Sequence, residues 1–242
     1  MTHWLDVVRR ILDDPTEPTD GKRALILGDP AHRAADVCTR AGLLVVRAVV
    51  PHGVPARRFD RTDSDPVVLA DTGALPFRDG SFDLVIVHAT LEFTHDDRQV
   101  VGELSRVLAV GGRMVVRLPF RGRLDGIDAL NLYRYTRELS GHGDIPTEAL
   151  PIGWRRHYGT DDIAAVFGPA PLSIDRIEHG GVGIGESIYW PALVVSRSVL
   201  RRPEPSSRLL GLYARFGDWD ERLPGPATVA VTTTRSARPF TG

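Results

Sequence analysis

Asp71-Thr-Gly-Ala-Leu-Pro-Phe-Arg-Asp-Gly-Ser-Phe-Asp-Leu-Val-Ile-Val-His88, then Leu91-Glu92, then Glu103-Leu-Ser-Arg-Val-Leu-Ala-Val-Gly-Gly-Arg113, is the stretch whose reading decides the fold. Phe82 to Val87 is an almost unbroken apolar run, which predicts a strand buried on both faces and ending at His88. Val100, Leu104, Val107 and Leu108 then recur at helical spacing, and Gly111-Gly112 reads as the helix stop, because glycine tolerates positive φ. Met114 to Leu118 is the next apolar run, and Pro66 to Ala70, ending at Asp71, is the preceding one. Apolar strands separated by amphipathic helices imply a parallel sheet covered on both faces.

The same alternation extends outward. Ala24 to Leu27 reads as a buried strand followed by a turn at Gly28-Asp29-Pro30. Ala34, Val37, Cys38 and Ala41 mark one helical face ending at Gly42, and Leu43 to Val50 is a further strand. Upstream, Trp4, Val8, Ile11 and Leu12 predict a short docking helix, which the linker Asp13 to Gly21 ends. Downstream of Pro119 the alternation lapses for about forty residues, long for a plain connection, which predicts a partly helical cap carrying Tyr133, Tyr135, Trp154 and several arginines. These arginines read as solvated before they read as ligands for an anionic or aromatic substrate. Thr160 is expected to cap a helix containing Ile163, Val166 and Phe167; Leu172 to Ile177 and Thr228 to Val231 read as late strands, with an amphipathic helical segment from Glu186 to Phe216 between them.

With 242 residues, 42% hydrophobic and 25% charged, the chain supports one substantial core, so one domain with insertions is expected. Thirty basic against thirty-one acidic residues leave a net charge of −1 with no long run of one sign, which argues against nucleic acid as a primary partner. Cys38, the single cysteine, forms no internal disulfide and assembles no thiolate metal site; it reads as a small core residue in a reducing, cytoplasmic compartment. The first residues lack a basic start followed by an apolar run, so no secretory signal is read there. No stretch reaches the roughly twenty apolar residues that cross a bilayer. Arg197, Arg201 and Arg202 near Trp190 and Val194 admit peripheral contact with a membrane or a protein partner, although a plain amphipathic helix explains them better.

The Asp71 to Arg113 stretch resembles the class I S-adenosyl-L-methionine-dependent methyltransferases, in particular their small-molecule-modifying branch. The resemblance rests on an acidic end to the third strand, the Leu75-Pro76-Phe77 turn, Ser81-Phe82-Asp83 leading into the fourth, and Glu103-Leu-Ser-Arg-Val-Leu108 before Gly-Gly, in that order and spacing. It implies a Rossmann-like doubly wound, mostly parallel seven-stranded sheet with helical cap insertions. In that frame residues 1–21 are an N-terminal helix and linker, 23–118 the cofactor-binding core, 119–160 the cap and 161–242 the C-terminal helices and late strands. It also implies S-adenosyl-L-methionine as cofactor, a small-molecule acceptor, and cofactor contacts from Gly28, Asp29, Asp71, Thr72 and His88. Asp71, at a strand's carboxyl end, would accept a hydrogen bond from the adenine amino group, with turn capping as the bland alternative. His88 lines the pocket in this reading and is the one candidate catalytic residue. Leu75-Pro76-Phe77 and His157-Tyr158 are assigned packing.

Two departures stand against the family pattern. Where relatives place an acidic residue and a Gly-x-Gly-x-Gly loop, this chain has Ile26-Leu27-Gly28-Asp29-Pro30-Ala31-His32; Pro30 supplies no amide and His32 replaces a hydrogen side chain. Where relatives present an acid to the ribose after the second strand, it has Val49-Val50-Pro51-His52-Gly53, a loss of about 1.5 to 3 kcal/mol. Phe93 also replaces the histidine of the family's Leu-Glu-His. Two functions follow: a methyltransferase that aligns cofactor and acceptor, or a non-catalytic domain of the same fold serving as a binding or assembly module.

Overall fold

A computed structural model describes residues 4–28, 33–49, 66–121, 129–141, 152–183, 191, 194–196, 219–220, 222–223 and 225–237. Its elements are α1 (Trp4–Leu12), β1 (Arg23–Leu27), α2 (Arg33–Arg40), β2 (Leu44–Val49), β3 (Val67–Leu69), β4 (Phe82–Val87), a 3-10 turn at Leu91–Phe93, α3 (Asp97–Val107), β5 (Leu108–Pro119), α4 (Ala129–Ser140), α5 (Thr160–Phe167), β6 (Leu172–Gly180) and β7 (Thr228–Arg235).

The seven strands form one sheet in the order β3-β2-β1-β4-β5-β7-β6. β1 lies parallel between β2 and β4, with Leu25 opposite both Val46 and Val85. β7 runs antiparallel to β5 and to β6. The order reverses between β1 and β4, which makes their carboxyl ends the switch point where open α/β sheets bind ligands.

Successive strand side chains point to opposite faces, so the apolar runs feed two cores. Leu25, Leu27, Val85, Val87, Met114 and Val116 pack with Val100, Leu104, Ile163 and Phe167 on one face. Ala24, Ile26, Leu84, Ile86 and Val115 pack with Trp4, Val8, Ala34 and Cys38 on the other. Cys38 is fully buried, as its small size suggested.

Three expectations need correction. Gly111-Gly112 does not stop α3, which ends at Val107; both glycines lie inside β5, and Leu108 is already strand. Between Phe82↔Leu108 and Leu84↔Arg113 the register shifts, so the glycines form a bulge. A Cβ on Gly112 would meet the Asp83 carbonyl at 2.9 Å, which explains the glycine there better than a helix end does. Thr160 is not the cap of α5: Gly159 precedes the helix, and its amide donates to the Asp162 carboxylate at 2.8 Å. The cap arginines are not all solvated, since Arg155 is buried and Arg156 is half-buried against Asp97. Of the expected helical segment Glu186 to Phe216, only residues 191 and 194–196 are among those described.

Candidate functional site

At the switch point the chain leaving β1 meets the chain leaving β4. The His88 amide donates to the Leu27 carbonyl at 2.9 Å, and His88 Nδ1 lies 3.3 Å from the Gly28 carbonyl. Gly28 has φ +72, and a Cβ there would stand 1.8 Å from the His88 carbonyl oxygen and 2.3 Å from Thr90 Oγ1. Glycine is therefore required twice over, by its positive φ and by the approach of the neighbouring loop. The Thr90 hydroxyl donates to the His88 carbonyl at 3.0 Å. Between them Ala89 has φ 48, the one described non-glycine residue in the left-handed region. Backbone strain of this kind concentrates at functional sites, and nothing in the sequence signalled it. The Trp4 indole covers His88 with ring centroids 4.9 Å apart, so α1 packs on this corner as well.

Asp71 and Thr72 end β3 on the same edge of the sheet, two strands from β1. Asp71 is exposed, and its Oδ1 accepts from the Gly73 amide at 2.9 Å, the turn-capping geometry weighed as the bland reading. Its other carboxylate oxygen takes no hydrogen bond from a described residue, which leaves an acceptor for an adenine amino group. Thr72 is buried. Gly28 and His88 are thus brought into contact, Asp71 and Thr72 stand on the same edge, and Asp29, Pro30, His32 and residues 50–65 lie outside the described residues.

The turn that follows Asp71 is held from α3. Glu103 accepts from the Leu75 amide at 3.0 Å and from Arg106 Nε at 2.9 Å, while Arg106 also donates to the Phe77 and Leu75 carbonyls and to Asp79. The Arg106 hydrogen bonds hold the Glu103 carboxyl below its ordinary range. The Leu75-Pro76-Phe77 turn carries no chemistry here; it is clamped.

A second acid escaped the sequence reading as a site. Glu92, in the turn just after β4, is wholly buried, and among the described residues no donor meets either carboxylate oxygen in full hydrogen-bond geometry, although the backbone amides of Thr90 and of Glu92 itself lie close enough to favour the charged form. Arg155 Nε lies 3.8 Å from Glu92 Oε1. Burial pushes the Glu92 carboxyl up, against the opposing pull of the Arg155 and Arg117 charges. Asn131 of α4 grips the Arg155 backbone on both sides, accepting from its amide at 2.9 Å and donating to its carbonyl at 2.8 Å. The Arg156 amide donates to the Glu92 carbonyl at 3.0 Å, and Tyr158 donates to the Leu91 carbonyl at 3.1 Å. Of the His157-Tyr158 pair assigned to packing, Tyr158 is fully buried and His157 is half-buried. The available signal was an acid between two large apolar residues, Leu91 and Phe93.

A sequence model of the methyltransferase domain matches residues 38–116. A demethylmenaquinone methyltransferase of Clavibacter sepedonicus is 35% identical over 102 residues, 41% of this chain and 42% of that relative, so the match spans less than half of the curated relative's length. Among solved structures, the YcgJ protein of a Bacillus species superposes with TM-score 0.60 at 13% identity, covering 98% of this chain and 99% of the other. A Haloferax volcanii methyltransferase in complex with the Trm112 activator superposes with TM-score 0.55 at 16% identity, covering 98% and 90%. At these identities the structural likeness is one of fold: the sheet, its helices and their order are those of the class I methyltransferases.

Proposed function

We propose that this chain, which has the class I methyltransferase fold and whose segment 38–116 matches a methyltransferase domain, is an S-adenosylmethionine-dependent methyltransferase that transfers the cofactor's methyl group to a small-molecule acceptor. The observation that carries the proposal is the meeting of Gly28 and His88 at the β1–β4 switch point, with Asp71 and Thr72 closing β3 on the same edge. In this reading Asp71 receives the adenine amino group, Thr72 offers its amide to the ring, and the Gly28 turn with Asp29 borders the methionine end. The bound cofactor supplies an activated methyl on a sulfonium. The protein's contribution is alignment of the two reactants, and His88, covered by Trp4, lines the crevice.

The names of the curated relatives make demethylmenaquinone the first acceptor to assay. Transfer of a labelled methyl group from S-adenosylmethionine to that quinone in reduced form, abolished by Asp71→Ala, supports the proposal. Transfer to no member of a small-molecule acceptor panel by protein that binds the cofactor counts against it.

A second reading, a methyltransferase-fold binding or assembly module, is favoured by the packing of Trp4 on His88 and by the turn-capping use of Asp71 Oδ1. The altered residues Pro30 and His32 weigh on the same side. Failure of S-adenosylmethionine to bind folded protein would favour this reading.

A further inference from the structure

Gly73 is held at both its amide and its carbonyl. The amide donates to Asp71 Oδ1 at 2.9 Å, and the carbonyl accepts from Gln99 Nε2 of α3 at 3.0 Å. Gln99 is itself anchored, because its own amide donates to Asp96 Oδ1, the cap of α3, at 2.9 Å. A Cβ at Gly73 would stand 3.0 Å from Gln99 Nε2 and 3.5 Å from Asp71 Oδ1, so glycine keeps both side chains close against one residue. Glu103 and Arg106 clamp the turn from Leu75 onward, whereas Gln99 reaches the residue that orients Asp71.

An exposed glutamine gains little net stability from one neutral hydrogen bond, since ordering its side chain costs a comparable amount. Its place gives the contact more consequence. The Gly73 amide on Oδ1 sets the plane of the exposed Asp71 carboxylate, and so the direction of its other oxygen. Releasing the Gly73 carbonyl lets that amide turn away and the carboxylate rotate, and a hydrogen bond weakens steeply once its angle is lost. We infer, resting on the methyltransferase reading above, that Gln99 is a positioning residue for base recognition: by holding Gly73 it aims Asp71, and thereby sets the crevice's preference for a 6-aminopurine over a 6-oxopurine. A 6-oxo group offers the carboxylate no donor, so the aim of Asp71 matters for the amino form alone.

S-adenosylhomocysteine and S-inosylhomocysteine differ in the purine ring alone, amino against oxo at position 6. Both are titrated calorimetrically into the full chain, into Gln99→Met, which keeps the side-chain length and removes the donor, into Asp71→Ala and into the double variant. Wild type should bind the adenosyl compound about tenfold or more tightly than the inosyl one. Gln99→Met should cut that preference about three- to tenfold by weakening S-adenosylhomocysteine, with S-inosylhomocysteine bound as before. On the Asp71→Ala background Gln99→Met should change nothing further, because the glutamine acts through that carboxylate. A merely structural role would weaken both ligands alike. That outcome, a preference unchanged in Gln99→Met, or an effect that persists without Asp71 overturns the positioning role and leaves the cofactor reading standing. Wild type that binds neither compound up to millimolar concentration, or binds both equally, overturns the two together. Should Gln99→Met not fold, its side-chain amide resonances in the wild-type chain decide: a shift with the adenosyl compound and none with the inosyl one supports the assignment, and no shift with either overturns it.

Discussion

Two segments leave parallel strands on the same edge of the sheet and are built in opposite ways. After β3, the turn from Asp71 to Gly80 is clamped by Glu103 and Arg106, whose charged groups find donors and acceptors in Leu75, Phe77 and Asp79. After β4, the loop from His88 to Phe93 contains Ala89 at φ 48, a backbone so close to Gly28 that no Cβ fits, and a buried Glu92 whose carboxylate finds no well-formed hydrogen bond among the described residues. The first arrangement is what stability alone produces. The second retains strain and an unsatisfied acid, and such costs persist where a site needs them.

The contrast can be broken by substitution. Gly28→Ala should be the most damaging change, by about 3 kcal/mol or more, because the methyl group overlaps the His88 carbonyl and φ +72 disfavours it. Urea unfolding measures this; a loss under about 1 kcal/mol would mean the β1–β4 corner is looser than described. Arg106→Ala should cost about 2 kcal/mol, since its partly exposed side chain loses several charge-assisted bonds. A neutral result there would remove the clamp from the comparison. Ala89→Gly should stabilise by about 1 kcal/mol by releasing the left-handed strain, and no gain would show that the surroundings have already offset it.

The pH dependence of Glu92 sharpens the same contrast. Burial raises its folded-state pKa above the ordinary value of 4.5, so the folded chain holds more protons than the unfolded one as pH climbs past that value. Its contribution to stability therefore falls as pH rises through the window between the unfolded and folded pKa. Glu103, whose pKa is lowered, contributes in the opposite sense and loses its contribution as pH falls through its folded pKa. Thermal unfolding of wild type and Glu92→Gln across that range should show the variant gaining relative to wild type as pH rises. Parallel curves would place Glu92 in a solvated setting.

Much of the fold was legible because apolar runs and their spacing are local facts. Ala24 to Leu27, Phe82 to Val87 and the Val100, Leu104 and Val107 stripe of α3 read directly as elements, while Leu108 of that stripe turned out to begin β5, and the order of the elements carried the parallel sheet. Gly111-Gly112 misled because glycines serve helix ends and strand bulges alike, and only the pairing of Leu84 with Arg113 distinguishes them. The site was legible in part. Gly28 and His88, sixty positions apart, meet because β1 and β4 are neighbours, which the family resemblance implied. The Glu92–Arg155 pairing joins residues across the cap, and the strain at Ala89 is a property of backbone geometry; neither leaves a periodic trace in sequence.

Cofactor binding tests the central claim most directly. S-adenosylhomocysteine titrated calorimetrically into folded wild-type chain and into Asp71→Ala should give saturable heat in the first and at least about tenfold weaker binding in the second. Absence of saturable heat up to millimolar concentration, or equal affinity in both proteins, would contradict the assignment of the β1–β4 crevice and Asp71 to this cofactor.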